Sequence, residues 1–182
     1  MNQPFRPSAM RPAPCPRHIP LALLLGAFLM VGWATPALAA CTDPAAAGVN
    51  WRRCYMDGRD LKKAPLAGAM LRDTTFQRSD LTDADLTNVD GYRAKFMSAS
   101  LIGAILKDAR LIEADFTRAD MTKVTLTGAD LRNAKLVGAK LTDADLTGAR
   151  LDGADLRNTD LSGALWIDGQ RRCGAGSTGQ CH

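Results

Sequence analysis

Large apolar residues recur at every fifth position along most of this chain. The series runs Trp51, Met56, Leu61, Leu66, Leu71, Phe76, Leu81, Leu86, Gly91, Phe96, Leu101, Leu106 and onward to Leu161 and Trp166. These are 24 centres without one insertion, and only Gly91 lacks a large apolar side chain. Two residues before each centre stands a small residue, usually Ala, as at Ala84, Ala94, Ala99, Ala104 and Ala164; Arg59 is the chief exception. A polar residue, often Asp, lies between them. The unit is Ala-Asp-Leu-x-x, as in Ala84-Asp85-Leu86-Thr87-Asn88 and Ala154-Asp155-Leu156-Arg157-Asn158. A helix requires a period near 3.6 and a strand a period of 2, so neither explains the pattern. A strict period of five gives two inward and three outward positions per repeat of a wound chain.

The charges set the size of one coil. If coils stack, side chains one coil apart are cross-strand neighbours, about 4.8 Å apart. Opposite charges there attract and like charges repel. At the position before each centre, Asp90-Arg110-Asp130-Arg150 alternate in sign at a spacing of 20, as do Lys95-Asp115-Lys135-Asp155 and Asp120-Lys140-Asp160. That spacing gives eight opposite pairs and one like pair, Asp60 with Asp80, whereas 15 gives three against five and 25 gives four against five. The alternation predicts four repeats to a coil. Phe76, Phe96 and Phe116 share that step and are expected to stack in one column of the core.

The motif resembles the pentapeptide-repeat family over Val49 to Asp168. The resemblance implies an all-β fold, a right-handed quadrilateral β-helix with four pentapeptides per coil and about six coils. Six coils make a rod of roughly 29 Å. Each coil touches only its neighbours, so the ends need caps. Trp51 and Trp166, the first and last centres, are the expected cap residues. Pro65 lacks an N–H donor, and the first coil is where that costs least. Gly91 predicts a bulge or local shift, with Tyr92 partly filling the place of the missing side chain. Residues 40–50 form the expected N-terminal cap segment, 49–168 the solenoid, and 169–182 a stapled C-terminal loop.

Residues 1–39 differ in character. Arg6, Arg11, Arg17 and His18 precede an apolar run from Leu21 to Trp33, followed by Pro36-Ala37-Leu38-Ala39. That is the three-part pattern of a secretory signal peptide, starting at Met1 or Met10. An uncleaved membrane anchor is the alternative, since uncharged sequence runs from Ile19 to Ala40; but Pro20 and Pro36 interrupt it, and its strongly apolar part is shorter than the ~20 residues a span needs. Ala37-Leu38-Ala39 fits cleavage before Ala40. Leu38-Ala39-Ala40-Cys41 also resembles a lipobox, which would lipidate Cys41. With Cys15 removed, Cys41, Cys54, Cys173 and Cys181 remain as two near-neighbour pairs at the ends. In an oxidising compartment they read as disulfides Cys41–Cys54 and Cys173–Cys181.

Removing Arg6, Arg11 and Arg17 lowers the basic residues from 23 to 20 against 19 acidic, a net charge of +1. Such a chain offers no electrostatic case for nucleic acid. Its one histidine, His182, supports neither a triad nor a His-based zinc site. The aspartates sit at repeat positions and read as solvated coil surface. No catalytic residue, metal site or cofactor is expected, and the chain is not read as an enzyme.

Outward apolar residues are the candidate partner surface: Tyr92, Met97, Ile102 and Ile105, with Ile112 one coil beyond Tyr92. A contiguous belt of them would mark a contact site. The leading expectation is a non-catalytic periplasmic or secreted scaffold whose flat coil faces bind an unidentified protein partner. One alternative is an envelope lipoprotein held to the membrane through Cys41. The other is imitation of duplex DNA towards topoisomerases, which some members of the resembled family perform. The signal segment and the alternating charges oppose that last reading.

Overall fold

A computed structural model describes residues 41–182. The expected signal segment, its cleavage site and the choice between Met1 and Met10 lie outside the described residues.

Each repeat is a short contact followed by a tight turn. At Phe96 the turn closes when the Ala99 amide donates to the Phe96 carbonyl at 3.0 Å. The residue before the small position has positive φ throughout, every fifth residue from Gly48 to Gly163. Fifteen of these are not glycine, and their φ lies between 54° and 59°. The left-handed region costs an L-residue about 1–2 kcal/mol. Asp and Asn tolerate it best, and they fill seven of the fifteen positions.

The turns stack in a regular register, each on its equivalent four repeats away. Parallel bridges join Lys95 to Asp115, Asp115 to Lys135 and Lys135 to Asp155, and the same step recurs from Asn50 to Leu165. Three backbone hydrogen bonds hold each contact. The Phe96 amide donates to Asp115 O at 2.7 Å, the Ser98 amide to Thr117 O at 3.0 Å, and the Asp115 amide to Ala94 O at 2.9 Å. The ladders satisfy backbone groups that burial would otherwise leave without partners.

The two inward positions build one continuous core from Val49 to Cys181. Phe76 and Phe96 stack at 5.1 Å and 3°, and Phe96 and Phe116 at 4.9 Å and 4°. Where the small residue is polar, its hydroxyl bonds a buried carbonyl: Ser79 to Met56 O at 2.6 Å, and Thr159 to Leu136 O at 2.7 Å. Arg59 escapes burial because it stands in the first layer, beside an open end.

Gly91 makes no bulge. Its amide donates to Arg110 O at 2.8 Å and its carbonyl accepts from Ala94, so the register runs through unbroken. The Leu111 Cδ2 atom fills the space instead, 2.9 Å from where a Cβ would stand. Tyr92 stays outside and does not replace the missing side chain.

The two ends are closed in different ways. Trp51 is buried, and its indole Nε1 donates to Asp43 O at 3.2 Å. Trp166 is only partly buried, and the tail does most of the closing there. That tail is more than a loop, since Thr178 and Arg172 pair antiparallel with Asp160 and Leu165. Cys41–Cys54 and Cys173–Cys181 are disulfide-bonded, with Cα–Cα distances of 5.4 and 4.9 Å.

Candidate interaction surface

Three outward side chains per repeat line up in columns with their equivalents in the next layer, and their chemistry is set by what each touches. Of the eight opposite-charge neighbours expected along the columns, two come within ion-pair distance among the described residues. These are Lys140 with Asp120 at 3.3 Å and Arg150 with Asp130 at 4.0 Å. The other carboxylates turn to nearer donors. Asp90 takes Arg72 and Asp155 takes Arg157 at 2.7 Å, and Asp130 itself holds Arg132 at 2.7 Å, closer than Arg150. An Asp side chain is short, and the amide two residues ahead is already within its reach. Thr117 shows this with both N–H (3.0 Å) and hydroxyl (2.6 Å) donating to Asp115 Oδ1.

These local donors govern the acidity of the carboxyls. The Thr147 hydroxyl holds the Asp145 carboxyl below the usual carboxylate range, and Ser162 does the same for Asp160. At Asp130 the cause is the Arg132 guanidinium. The charge columns are therefore fastened within each repeat as much as between layers.

A second relation links layers through the corners. The Asp83 carboxylate lies against the Gly103 corner one layer on, 2.6 Å from where a Cβ would stand. Asp108 with Gly128, Asn133 with Gly153 and Asp143 with Gly163 repeat the arrangement. Acid or amide followed by glycine four repeats later is written in the chain, but it is invisible until the register is known.

The expected partner residues do not gather into one apolar belt. Tyr92 and Ile112 share a column, while Met97, Ile102 and Ile105 belong to successive repeats. Ile102 and Ile105 are exposed; Met97 and Ile112 are half-buried. Tyr92 is clasped. Its hydroxyl donates to Glu113 at 3.3 Å, the Arg93 guanidinium lies 4.9 Å above its ring, and Arg110 lies 6.0 Å away. Arg93 also donates to Glu113 at 2.8 Å, which keeps that carboxyl below its ordinary range. Next to this clasp is a recess of about 270 Å³ lined by Arg93, Lys95, Glu113, Asp115, Asn133 and Lys135. The face around Tyr92 is a mixed-charge patch with one aromatic ring. Tyr55, 81% exposed on the first layer, and Ile167 near the other end are exposed apolar residues that the repeat pattern did not single out.

Among the described residues no group of His, Cys, Asp or Glu side chains is arranged to hold a metal ion. All four described cysteines are in disulfides.

The family model described as "Pentapeptide repeats (8 copies)" matches residues 52–88, 94–133 and 125–163. No curated protein matches this chain significantly. Among solved structures, trypsin-treated QnrB1, a plasmid-mediated fluoroquinolone resistance protein, is 18% identical, with 66% of each chain covered and a TM-score of 0.48. A pentapeptide repeat protein of the Arabidopsis thaliana thylakoid lumen is 28% identical over 56% of this chain and 79% of its own, with a TM-score of 0.40. One from Nostoc Pcc 7120 is 39% identical over 47% of this chain and 66% of its own, with a TM-score of 0.32.

Proposed function

This chain belongs to the pentapeptide-repeat family, and we propose that it is an exported, non-catalytic scaffold that holds a protein partner against its side faces. The observation that carries this reading is the backbone ladder. It fixes three outward side chains per repeat in columns that cannot rearrange one at a time. Such a surface recognises by position, with little ordering cost on binding. We read each four-repeat step as one coil of four sides, so residues 49–168 make six coils, with the right-handed quadrilateral section that the family resemblance implies.

The Tyr92 face is the contact site in this reading. It combines an aromatic ring with charges already paired to one another, and Tyr and Arg are enriched where interfaces concentrate their energy. Tyr92→Ser with Ile112→Ser leaves the ladder intact and removes the ring and its apolar neighbour. Affinity capture from envelope fractions is expected to recover a partner with the wild-type chain and to lose it with the double variant. An identical set of captured proteins for both chains would remove this face from the account.

Export rests on the signal-like pattern of residues 1–39 and suits the two disulfides, which an oxidising compartment maintains. Mass spectrometry of the mature N-terminus tests it: Ala40 with Cys41 bonded to Cys54 is expected. A diacylglyceryl Cys41 would establish the lipoprotein alternative instead. Duplex-DNA imitation finds no support in a described surface whose acids are matched by bases.

A further inference from the structure

The layer beyond the last full coil is half filled, and this is where we propose a second binding site: the open half takes an extended peptide segment of a protein partner by backbone pairing. The filled half shows the rule. The tail folds back, so that Leu161 N donates to Ser177 O at 2.8 Å, Gly163 N to Cys173 O at 2.9 Å, and Trp166 N to Arg171 O at 2.7 Å. The Cys173 amide in turn donates to Ala164 O at 2.8 Å. On the adjacent repeats the equivalent amides of Leu151, Gly153, Leu156 and Asn158 have no acceptor among the described residues, and the carbonyls of Ala149 and Ala154 have no donor. One layer below, the matching groups are all paired: Leu131 N to Arg150 O, Asn133 N to Asp152 O, Leu136 N to Asp155 O, and Gly138 N to Arg157 O, at 2.9–3.0 Å.

The side chains agree with the backbone. Leu131, Ala134 and Leu136 are fully buried, whereas Leu151, Ala154 and Leu156 are only partly covered. A groove lined by Ala154, Leu156 and Asn158 on one wall and Thr178, Gly179 and Gln180 on the other runs along this edge. An open row of donors over apolar residues is the template for strand addition.

The register specifies the occupant. It is about eight residues long and parallel to residues 150–158. Its carbonyls at positions 1, 3, 6 and 8 accept the four open amides, and its amides at positions 1 and 6 donate to Ala149 and Ala154. Positions 2 and 7 carry large apolar residues and position 5 a small one. Position 4 turns with positive φ, which calls for Asn or Gly. An acid at position 1 faces Arg150 and a base at position 6 faces Asp155. The chain's own segment 130–137, Asp-Leu-Arg-Asn-Ala-Lys-Leu-Val, meets every requirement and already pairs with residues 150–157 from the opposite side. A synthetic octapeptide of that sequence is the probe.

Amide hydrogen exchange on the full chain tests the proposal. The octapeptide is expected to slow exchange at Leu151, Gly153, Leu156 and Asn158 by at least about tenfold, while a scrambled octapeptide changes nothing. Leu156→Asp is expected to abolish the slowing while the amides of Leu86 and Leu106 keep their protection, which separates lost binding from lost folding. Tyr92→Ser with Ile112→Ser is expected to leave the slowing unchanged, so this site and the side-face reading fail separately. Unchanged exchange at the four amides in millimolar octapeptide would overturn the proposal. So would protection without peptide that rises with protein concentration, because a second copy would then fill the edge.

Discussion

Phe96 lies over Phe116 with ring centroids 4.9 Å apart and planes 4° from parallel, although four repeats separate them along the chain. Phe76 continues the same stack on the other side. Offset or stacked aromatic pairs contribute about 0.5–1.5 kcal/mol beyond the area they bury. Phe96 sits at the middle of the column and touches a ring on each face. Phe96→Ala is therefore expected to lower unfolding stability by about 3–5 kcal/mol, measured by denaturant titration. A loss under about 1 kcal/mol would mean the column does not close around this residue.

The Asp83–Gly103 corner predicts an unusual rescue. Gly103→Ala strains a residue at φ +67° and drives its Cβ onto the Asp83 carboxylate. A cost of roughly 1–3 kcal/mol is expected. Asp83→Gly removes the obstruction and itself suits the positive φ at residue 83. In that background Gly103→Ala is expected to cost less, and a double-mutant cycle reads the coupling. Equal costs in both backgrounds would show that the corner residues do not touch.

Acid should loosen the solenoid in a narrow range. The carboxyls of Asp130, Asp145 and Asp160 are all held below their ordinary value in the folded chain. A depressed folded pKa adds stability above the unfolded value, and that stability disappears as pH falls through the folded one. The melting temperature is thus expected to stay level from about pH 7 to 5 and to fall below about pH 4. Thr147→Val removes the hydroxyl that holds Asp145, and it should make the fall shallower. A steeper fall in this variant would contradict the assignment.

Reduction should fray the ends and spare the middle. The disulfides clip 41–54 and 173–181, outside most of the core. Each is expected to contribute about 2–4 kcal/mol. In a solenoid each layer supports only its neighbours, so loss at an end propagates weakly. Replacing all four cysteines with serine should expose amides near Trp51 and Leu161 to exchange, while Leu106 stays protected. Uniform loss of protection along the chain would contradict this.

The repeat and its register are legible in the amino-acid sequence, because both are carried by regular spacing. The period of five assigns Leu86 and Ala84 inward, and the alternating signs at Lys95, Asp115 and Lys135 select the four-repeat step. What those charges touch is not legible there. Asp115 is engaged by the Thr117 amide, and Asp130 by Arg132, because rotamers choose the nearest donor and spacing does not encode rotamers. Tyr92 reads as an outward apolar residue, since nothing in the pattern places Arg93 over its ring. Gly91 reads as a break because a missing side chain suggests a gap; Leu111 fills it from the next layer. The tail lies outside the repeat, so its pairing with Asp160 and Leu165 has no periodic signal to betray it.

Disulfide trapping tests the four-repeat step most directly. Lys95→Cys is combined in turn with Arg110→Cys, Asp115→Cys and Asp120→Cys, partners three, four and five repeats away, and the oxidised products are mapped by mass spectrometry. The parallel bridge between Lys95 and Asp115 predicts rapid cross-linking of that pair alone. Faster cross-linking of residue 95 to residue 110 or 120 would contradict the register on which the fold and both proposed sites depend.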